Sequence, residues 1–322
     1  MRINKLSDNL TPLDEGIIFG INTESDTPAE IVVEVIDADT EEVVAELRLY
    51  NTTSTTLNIA PYIARFSNYS PAHSHHTTFD EAPIARYKIR IDDVESEEVV
   101  VSVNNYEIGS APALITNFPD LRRLAKGEND EVLFASEPGK SVVAKLTANT
   151  GETLHLEYLP TVGISRVIIS LEDFDTDIDS LDVALYAENE VFAHLHYTVV
   201  PPLKTSTRLA WISESGAIER YTFPKSYKTA ITTEKQSFLT SEGICTAHCR
   251  AKQTISLCSR FESSKTIETL AQIATSPKVW VEDNTGITLV EVTTPNIDYN
   301  IFGEPSHIHF DICLWQKEVA LW

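Results

Sequence analysis

Apolar and polar residues alternate with period two along most of the chain. In ARYKIRIDD (85–93), Tyr87, Ile89 and Ile91 fall on one face and Lys88 and Arg90 on the other. That is the pattern of a strand with one face on a core and one in water. EEVVVSVNNYEI (97–108) follows as its antiparallel partner. AEIVVEVID (29–37) and EVVAELRLY (42–50) are apolar-rich runs broken by charges and bounded by turn-forming Asp, Thr and Asn. Short Val- and Ile-rich segments spaced by turn signals predict an antiparallel sandwich over residues 1–108, with a helical turn at IAPYIARF (59–66).

After PDLRRLAKGENDE (119–131), six runs succeed one another up to residue 200: EVLFAS, SVVAKLTA, ETLHLEYL, SRVIISLE, LDVALYAE and VFAHLHYTVV. They predict a second Ig-like sandwich over 109–201. Pro201 and Pro202 close it, because paired prolines are poor strand interior. The third region, 202–322, opens with RLAWISESGAIERYTFP (208–224) and continues through an extended stretch, YKTAITTEKQSFLTS (227–241). Within SSKTIETLAQIATS (263–276), Ile267, Leu270, Ala271 and Ala274 recur at helical spacing. A helix is expected near 264–275, capped by Ser264 and stopped by Pro277. Strands are expected at KVWVE, ITLVEVT and HIHFDICLW. The expected fold is mainly β: two N-terminal β-sandwich (Ig-like) domains and a C-terminal β-rich domain with one short helix.

Length and composition agree with a folded protein of several cores, since 42% of 322 residues are hydrophobic. No run approaches the roughly 20 apolar residues that span a bilayer. MRINKLSDNLTPLDEG at the N-terminus has Arg2 and Lys5 with no apolar stretch behind them, so a secretory signal is not expected. Asp and Glu number 48 against 25 Lys and Arg, a formal net charge of −23. A protein gripping duplex DNA from outside needs an excess of cations, and this chain has the reverse. The acid lies in short patches such as DADTEE (37–42) and DDVESEE (92–98). It keeps a surface solvated, and it would also let that surface stand near nucleic acid without sticking to it.

Candidate chemistry is sparse. Ser213 and Ser215 precede Gly216, but a nucleophile elbow needs Gly-x-Ser-x-Gly and a following helix. AIERYTF alternates as a strand instead, so a β-hairpin is expected there. Cys245, Cys249 and Cys258 fall within CTAHCRAKQTISLC, and the Cys245/Cys249 pair brackets His248. No second compact pair completes a zinc motif, and buried free thiols are the simpler reading. HSHH (73–76) places His73, His75 and His76 in a polar, proline-flanked loop. HLH (194–196) and HIH (307–309) each put two imidazoles on one strand face, a fragment of a metal site whose other ligands the sequence does not show, and ordinary sheet-surface residues are the simpler reading. EDFDTDIDSLD (172–182) would need glycine at 178 and glutamate at 184 to form a calcium-binding EF-hand loop, and the chain has Ile178 and Ala184. Phosphate-loop and dinucleotide fingerprints are absent from the sequence. No catalytic, cofactor-binding or metal residue is assigned, no enzymatic activity is expected, and the expected cofactors are none.

The C-terminal region, in RLAWISESGAIERYTFP, TIETLAQIATSPKVWVED, LVEVT and HIHFDICLW, resembles virion proteins of tailed bacteriophages and prophages, notably those of Bacteroidales hosts including the crAss-like group. DNLTPLDEGIIFGIN, LNIAPYIARF and LRRLAKGENDEVLF are similar to the same group, so the likeness runs over most of the chain. The resemblance implies a non-enzymatic structural subunit of neck, ring or tail. It would form a closed homo-oligomeric ring of about six or twelve copies that seals or extends the DNA channel. Its other partners would be portal, neck or tail proteins, with genome DNA passing through unbound and no membrane contact. Assembly would take place in the bacterial host cytoplasm, and the protein would reside in the virion. The loop at 71–83 and the segment 227–241 are the expected interface elements.

Two rivals stand beside this reading. A sandwich adhesin or glycan-binding module would need exposed aromatics, and the tryptophans (211, 280, 315 and 322) all sit in the last region, three of them within strand patterns that favour burial. A metal-dependent hydrolase would use Cys245, His248 and Cys249 with a histidine pair.

Overall fold

A computed structural model describes residues 1–8, 11–12, 16–63, 70–81, 84–102, 112–161, 163–174, 177–241, 243–283, 286–294, 297 and 305–320. The chain is mainly β. The first region runs through β1 (Arg2–Lys5), β2 (Thr11–Pro12), β3 (Ile18–Asn22), β4 (Ala29–Asp37), β5 (Val43–Thr52), β6 (Ser54–Asn58), a single helical turn α1 (Ala60–Ile63), β7 (Thr78–Glu81), β8 (Ala85–Ile91), β9 (Val94–Glu95) and β10 (Val99–Ser102). A β1-β3-β6 sheet lies over a β2-β10-β8-β4-β5 sheet, with β9 hairpinned onto β8. Tyr87, Ile89 and Ile91 of β8 point into this sandwich, as their alternation predicts, and pack with Val33, Val35, Phe19 and Ile21. β10 is the antiparallel partner of β8, pairing Val99 with Tyr87. Lys88 and Arg90 face outward and pair with Glu41, Glu95 and Glu34.

The second sandwich contains β11 (Ala113–Ile115), β12 (Leu121–Ala125), β13 (Asn129–Ala135), β14 (Val142–Ala148), β15 (Thr153–Tyr158), β16 (Ile164–Ser170), β17 (Ser180–Ala187) and β18 (Glu190–Val200). Its sheets are β11-β13-β16-β7 and β12-β18-β17-β14-β15. The six runs read from the sequence are strands β13 to β18. Two details go beyond that reading. LRRLA, within the stretch leading into those runs, is β12 and lies parallel to β18. β7, which precedes β8 in the chain, pairs with β16. The sandwiches are therefore interleaved: the chain lays one strand on the second before returning to finish the first.

The third region comprises β19 (Thr207–Ile212), β20 (Ile218–Phe223), β21 (Lys225–Thr240), β22 (Gly243–Cys258), the helix α2 (Ser264–Ala271) with a 3-10 turn at Gln272–Ala274, β23 (Val279–Asp283), β24 (Gly286–Val292) and β25 (His309–Ala320). They form one sheet in the order β20-β19-β23-β24-β25-β22-β21. Only Pro224 separates β20 from β21, yet these are the two edges of the sheet. A single residue spans a few ångströms. The sheet therefore curls until its edges meet at Pro224, and Ser226 N–H donates to Thr205 C=O at 3.3 Å across that junction. Inside the curl, Ile267, Leu270 and Ile273 pack against Trp211, Phe223, Leu257 and Phe310.

The helix starts at Ser264, within the expected span, but its cap lies one residue earlier than the sequence suggests. Ser263, not Ser264, is the cap: its backbone is extended and its hydroxyl accepts from Thr266 N–H at 3.3 Å. Either serine satisfies the composition rule, and the backbone geometry at 263 selects between them. Replacing Ser263 by alanine is expected to destabilise the third region by about 1 kcal/mol. Ser264→Ala should leave it within about 0.5 kcal/mol, both read from denaturant unfolding.

Candidate assembly interface

A buried ionic clamp holds the third sheet on the second sandwich. The Arg220 side chain is fully buried. It donates to Glu131 at 3.0 Å, to Glu282 at 2.8 Å and to the Ala72 carbonyl at 2.6 Å. Arg208 donates to Glu282 at 3.1 Å, Glu128 at 3.2 Å and the Asn129 carbonyl at 2.5 Å. Arg122 reaches Asp130 at 2.9 Å, where the Tyr197 hydroxyl also donates at 2.8 Å. Arg123 pairs with Glu262, which also accepts from Tyr221 at 2.9 Å. Around these groups lies a cavity of about 630 Å³ between the two units, lined by residues of both. The guanidinium groups of Arg122, Arg123, Arg208 and Arg220 in its lining are matched by carboxylates, so it is a cross-linked seam.

The same seam absorbs the histidine-rich loop. Ala72 N–H donates to Glu131 at 2.8 Å, and Ser170 donates to the His75 carbonyl at 2.9 Å. Asp173 takes His76 at 2.7 Å and the Thr77 amide at 2.5 Å, and β7 follows at once. Residues 71–81 are thus bound to the chain's own second sandwich, with His73 and His76 exposed; residues 82–83 of the expected interface loop lie outside the described residues. The acidic run at 172–182 does not converge. Asp173 serves the loop, Asp177 pairs with Lys126 at 3.2 Å, and Asp175 lies outside the described residues. His194 and His196 share Asp182, at 4.0 and 2.8 Å.

At the far edge of the third sheet β21 and β22 form a long arm, and β25 accompanies β22 along it as far as the His248/Ala320 pair. β21 and β22 are each 16 residues, about 50 Å at the rise of a strand. Fifteen residue pairs hold them together, from Lys225/Cys258 to Thr240/Gly243. Among the described residues of the two strands only Leu257, at the root, is buried. Leu239 and Ile244 face each other at the tip and are 80% and 77% exposed, with Phe238 beside them. Lys228, Lys235, Arg250 and Lys252 stand on the arm against Glu234, a net basic element on a chain of charge −23. β21 is also an edge strand, offering a row of backbone donors and acceptors.

The sequence singled out 227–241 as extended, and it is β21. It did not reveal β22, whose Cys- and His-bearing run drew attention to metal chemistry instead. Cys245 is exposed, and Cys249 and His248 are half-buried along one strand. Among the described residues, those three do not gather as a ligand cluster. Ser213 and Ser215 sit in a hairpin turn: Ser213 N–H donates to Ala217 C=O at 2.8 Å, and Gly216 takes φ of 76°. Trp211 and Trp280 are buried, so neither offers an aromatic face to a glycan.

No family model matches the sequence, and no curated protein matches it. Among solved structures, the chain is similar to the FN1–FN3 domains of chicken CNTN1, with 9% identity over 79% of this chain and 91% of that one, at a TM-score of 0.24. Domains 4–9 of the surface layer protein SbsC share 10% identity over 99% and 47%, at 0.23. A 1.5-MDa bacterial ice-binding adhesin shares 9% over 79% and 91%, at 0.19. These values carry no argument about function. The chain is a β-sandwich-rich protein.

Burial opposes ionisation of Asp130, but the guanidinium groups of Arg122, Arg208 and Arg220 and the Tyr197 hydroxyl overcome it and hold its carboxyl below the ordinary range. A depressed native pKa contributes stability that is present above the unfolded value of about 4 and lost as pH falls through the native value. Unfolding free energy should therefore drop below about pH 4, and Asp130→Asn should flatten that drop. At pH 7, Arg220→Ala, which takes the shared guanidinium from Glu131 and Glu282 and leaves them only Arg166 and Arg208 as cationic partners, is expected to cost about 3 kcal/mol. Urea titrations at pH 7 and pH 3 measure both effects.

Proposed function

We propose that the chain is a non-catalytic structural subunit that assembles with copies of itself through the β21–β22 arm. The observation that carries this reading is the arm itself: a basic projection, backed by β25 as far as His248 and two-stranded beyond it, with an apolar tip on an acidic body. An isolated molecule gains nothing from holding Leu239 and Ile244 in water at the end of the arm. A second copy supplies an acidic surface for the stem, for instance the exposed run at 92–98, and a place to bury the tip. Arm on body is a contact between two different surfaces, and such a contact repeated with a closing rotation gives a ring. The clamp supports this, because a ring needs each subunit's angle between domains to be fixed.

Together with the resemblance to tailed-phage proteins, this leads to a neck, ring or tail subunit around the DNA channel. An acidic body would discourage the genome from adhering to the wall. The cations of the arm would be engaged with the neighbouring subunit.

Sedimentation velocity tests the reading. Wild-type protein should form a large species whose stability falls as salt rises, since the stem contact is electrostatic. A Leu239→Asp, Ile244→Asp double variant should shift to monomer with an unchanged circular dichroism spectrum. An oligomer untouched by that variant would refute the arm's role.

A further inference from the structure

The HIH pair finds its missing ligand across the sheet. Ile308 and Phe310 are buried, so His307 and His309 share the opposite side of the segment entering β25. Antiparallel register sets Cys258, the last residue of β22, directly against His309. Cys258 Sγ lies 3.8 Å from His309 Nε2, and the two imidazole rings meet edge to face with centroids 4.9 Å apart. One donor atom from each of the three residues lies within 4.8 Å of the other two.

We propose that Cys258, His307 and His309 bind a zinc(II) ion, with a fourth coordination position open to solvent. Tetrahedral zinc with ligands at its usual bond lengths needs donor atoms about 3.3–3.7 Å apart. The Cys258–His309 contact is already close to this, and small side-chain rotations bring in the third ligand. One thiolate and two imidazoles form a donor set suited to a borderline-soft divalent ion and poorly suited to calcium or magnesium. As the zinc–sulfur bond forms, the thiol proton passes to solvent.

The scaffold is rigid where the ligands sit. Ser259 N–H donates to Ile308 C=O and Ile308 N–H to Ser259 Oγ, both at 3.0 Å. Glu262 and Ser306 exchange two backbone hydrogen bonds at 2.8 and 3.0 Å. Phe261 packs edge-on against His307 at 4.9 Å and fixes that ring. The ion would pin the end of β22 to the start of β25, at the root of the arm. This inference rests on local geometry and stands apart from the assembly reading.

The test is titration of chelator-treated, reduced full-length protein with cobalt(II) as the spectroscopic probe, followed by competition with zinc. The expected result is one equivalent bound, with a thiolate-to-cobalt charge-transfer band and the visible bands of a tetrahedral site, both displaced by zinc. Cys258→Ser should abolish the charge-transfer band, and His309→Ala should weaken binding at least tenfold. Cys249→Ser should leave the titration unchanged. Failure of wild-type protein to develop the band would overturn the proposal. So would a band that survives Cys258→Ser or vanishes in Cys249→Ser. Should a variant lose its fold by circular dichroism, alkylation of the wild type decides: zinc should protect Cys258 while Cys245 reacts, and equal labelling of both would refute the site.

Discussion

Arg220 joins three parts of the molecule with one guanidinium group. Its partners are Glu131 on the second sandwich, Glu282 on the third sheet and the Ala72 carbonyl on the loop that links the first two sandwiches. A buried charge in this position is costly unless every donor is met. Each partner must therefore stay where it is, and the relative placement of three units follows. Removing one member leaves buried carboxylates short of a cation; apolar seams lack that strictness, since their contacts can slide.

The third sheet follows from a second constraint. A chain that continues from β20 into β21 through one proline can be both edges of a sheet only if the sheet curls back on itself. The helix α2 fills the curl with Ile267, Leu270 and Ile273. β21 and β22 are longer than the curl can cover, and their outer halves have no core beneath them. Projection of the arm is thus a consequence of strand length against core size. Its composition fits that position: Thr, Gln, Lys and Arg line most of the stem, with exposed Ile231 among them, and Phe238, Leu239 and Ile244 gather at the tip.

Much of the fold could be read from alternation alone. Tyr87, Ile89 and Ile91 announce their strand and its face, and the second sandwich's runs are β13 to β18. What stayed hidden was non-local. Nothing in TFDE shows that residues 78–81 serve the second sandwich, because that pairing depends on β16, far along the chain. The clamp was equally invisible, since the carboxylates that meet Arg208 and Arg220 lie on or beside β13 and on β23, far along the chain. β22 was obscured by its own composition: Cys, His, Arg, Lys and Gln blur the alternation. The pairing of Cys258 with His309 becomes visible only once β22 and β25 are set side by side.

We propose that this armed subunit closes into a ring. Light scattering of the purified full-length protein at low and moderate salt, with negative-stain imaging of the largest species, tests it most directly. The account predicts closed rings of about six or twelve copies. A protein that remains monomeric at every concentration and salt would contradict it.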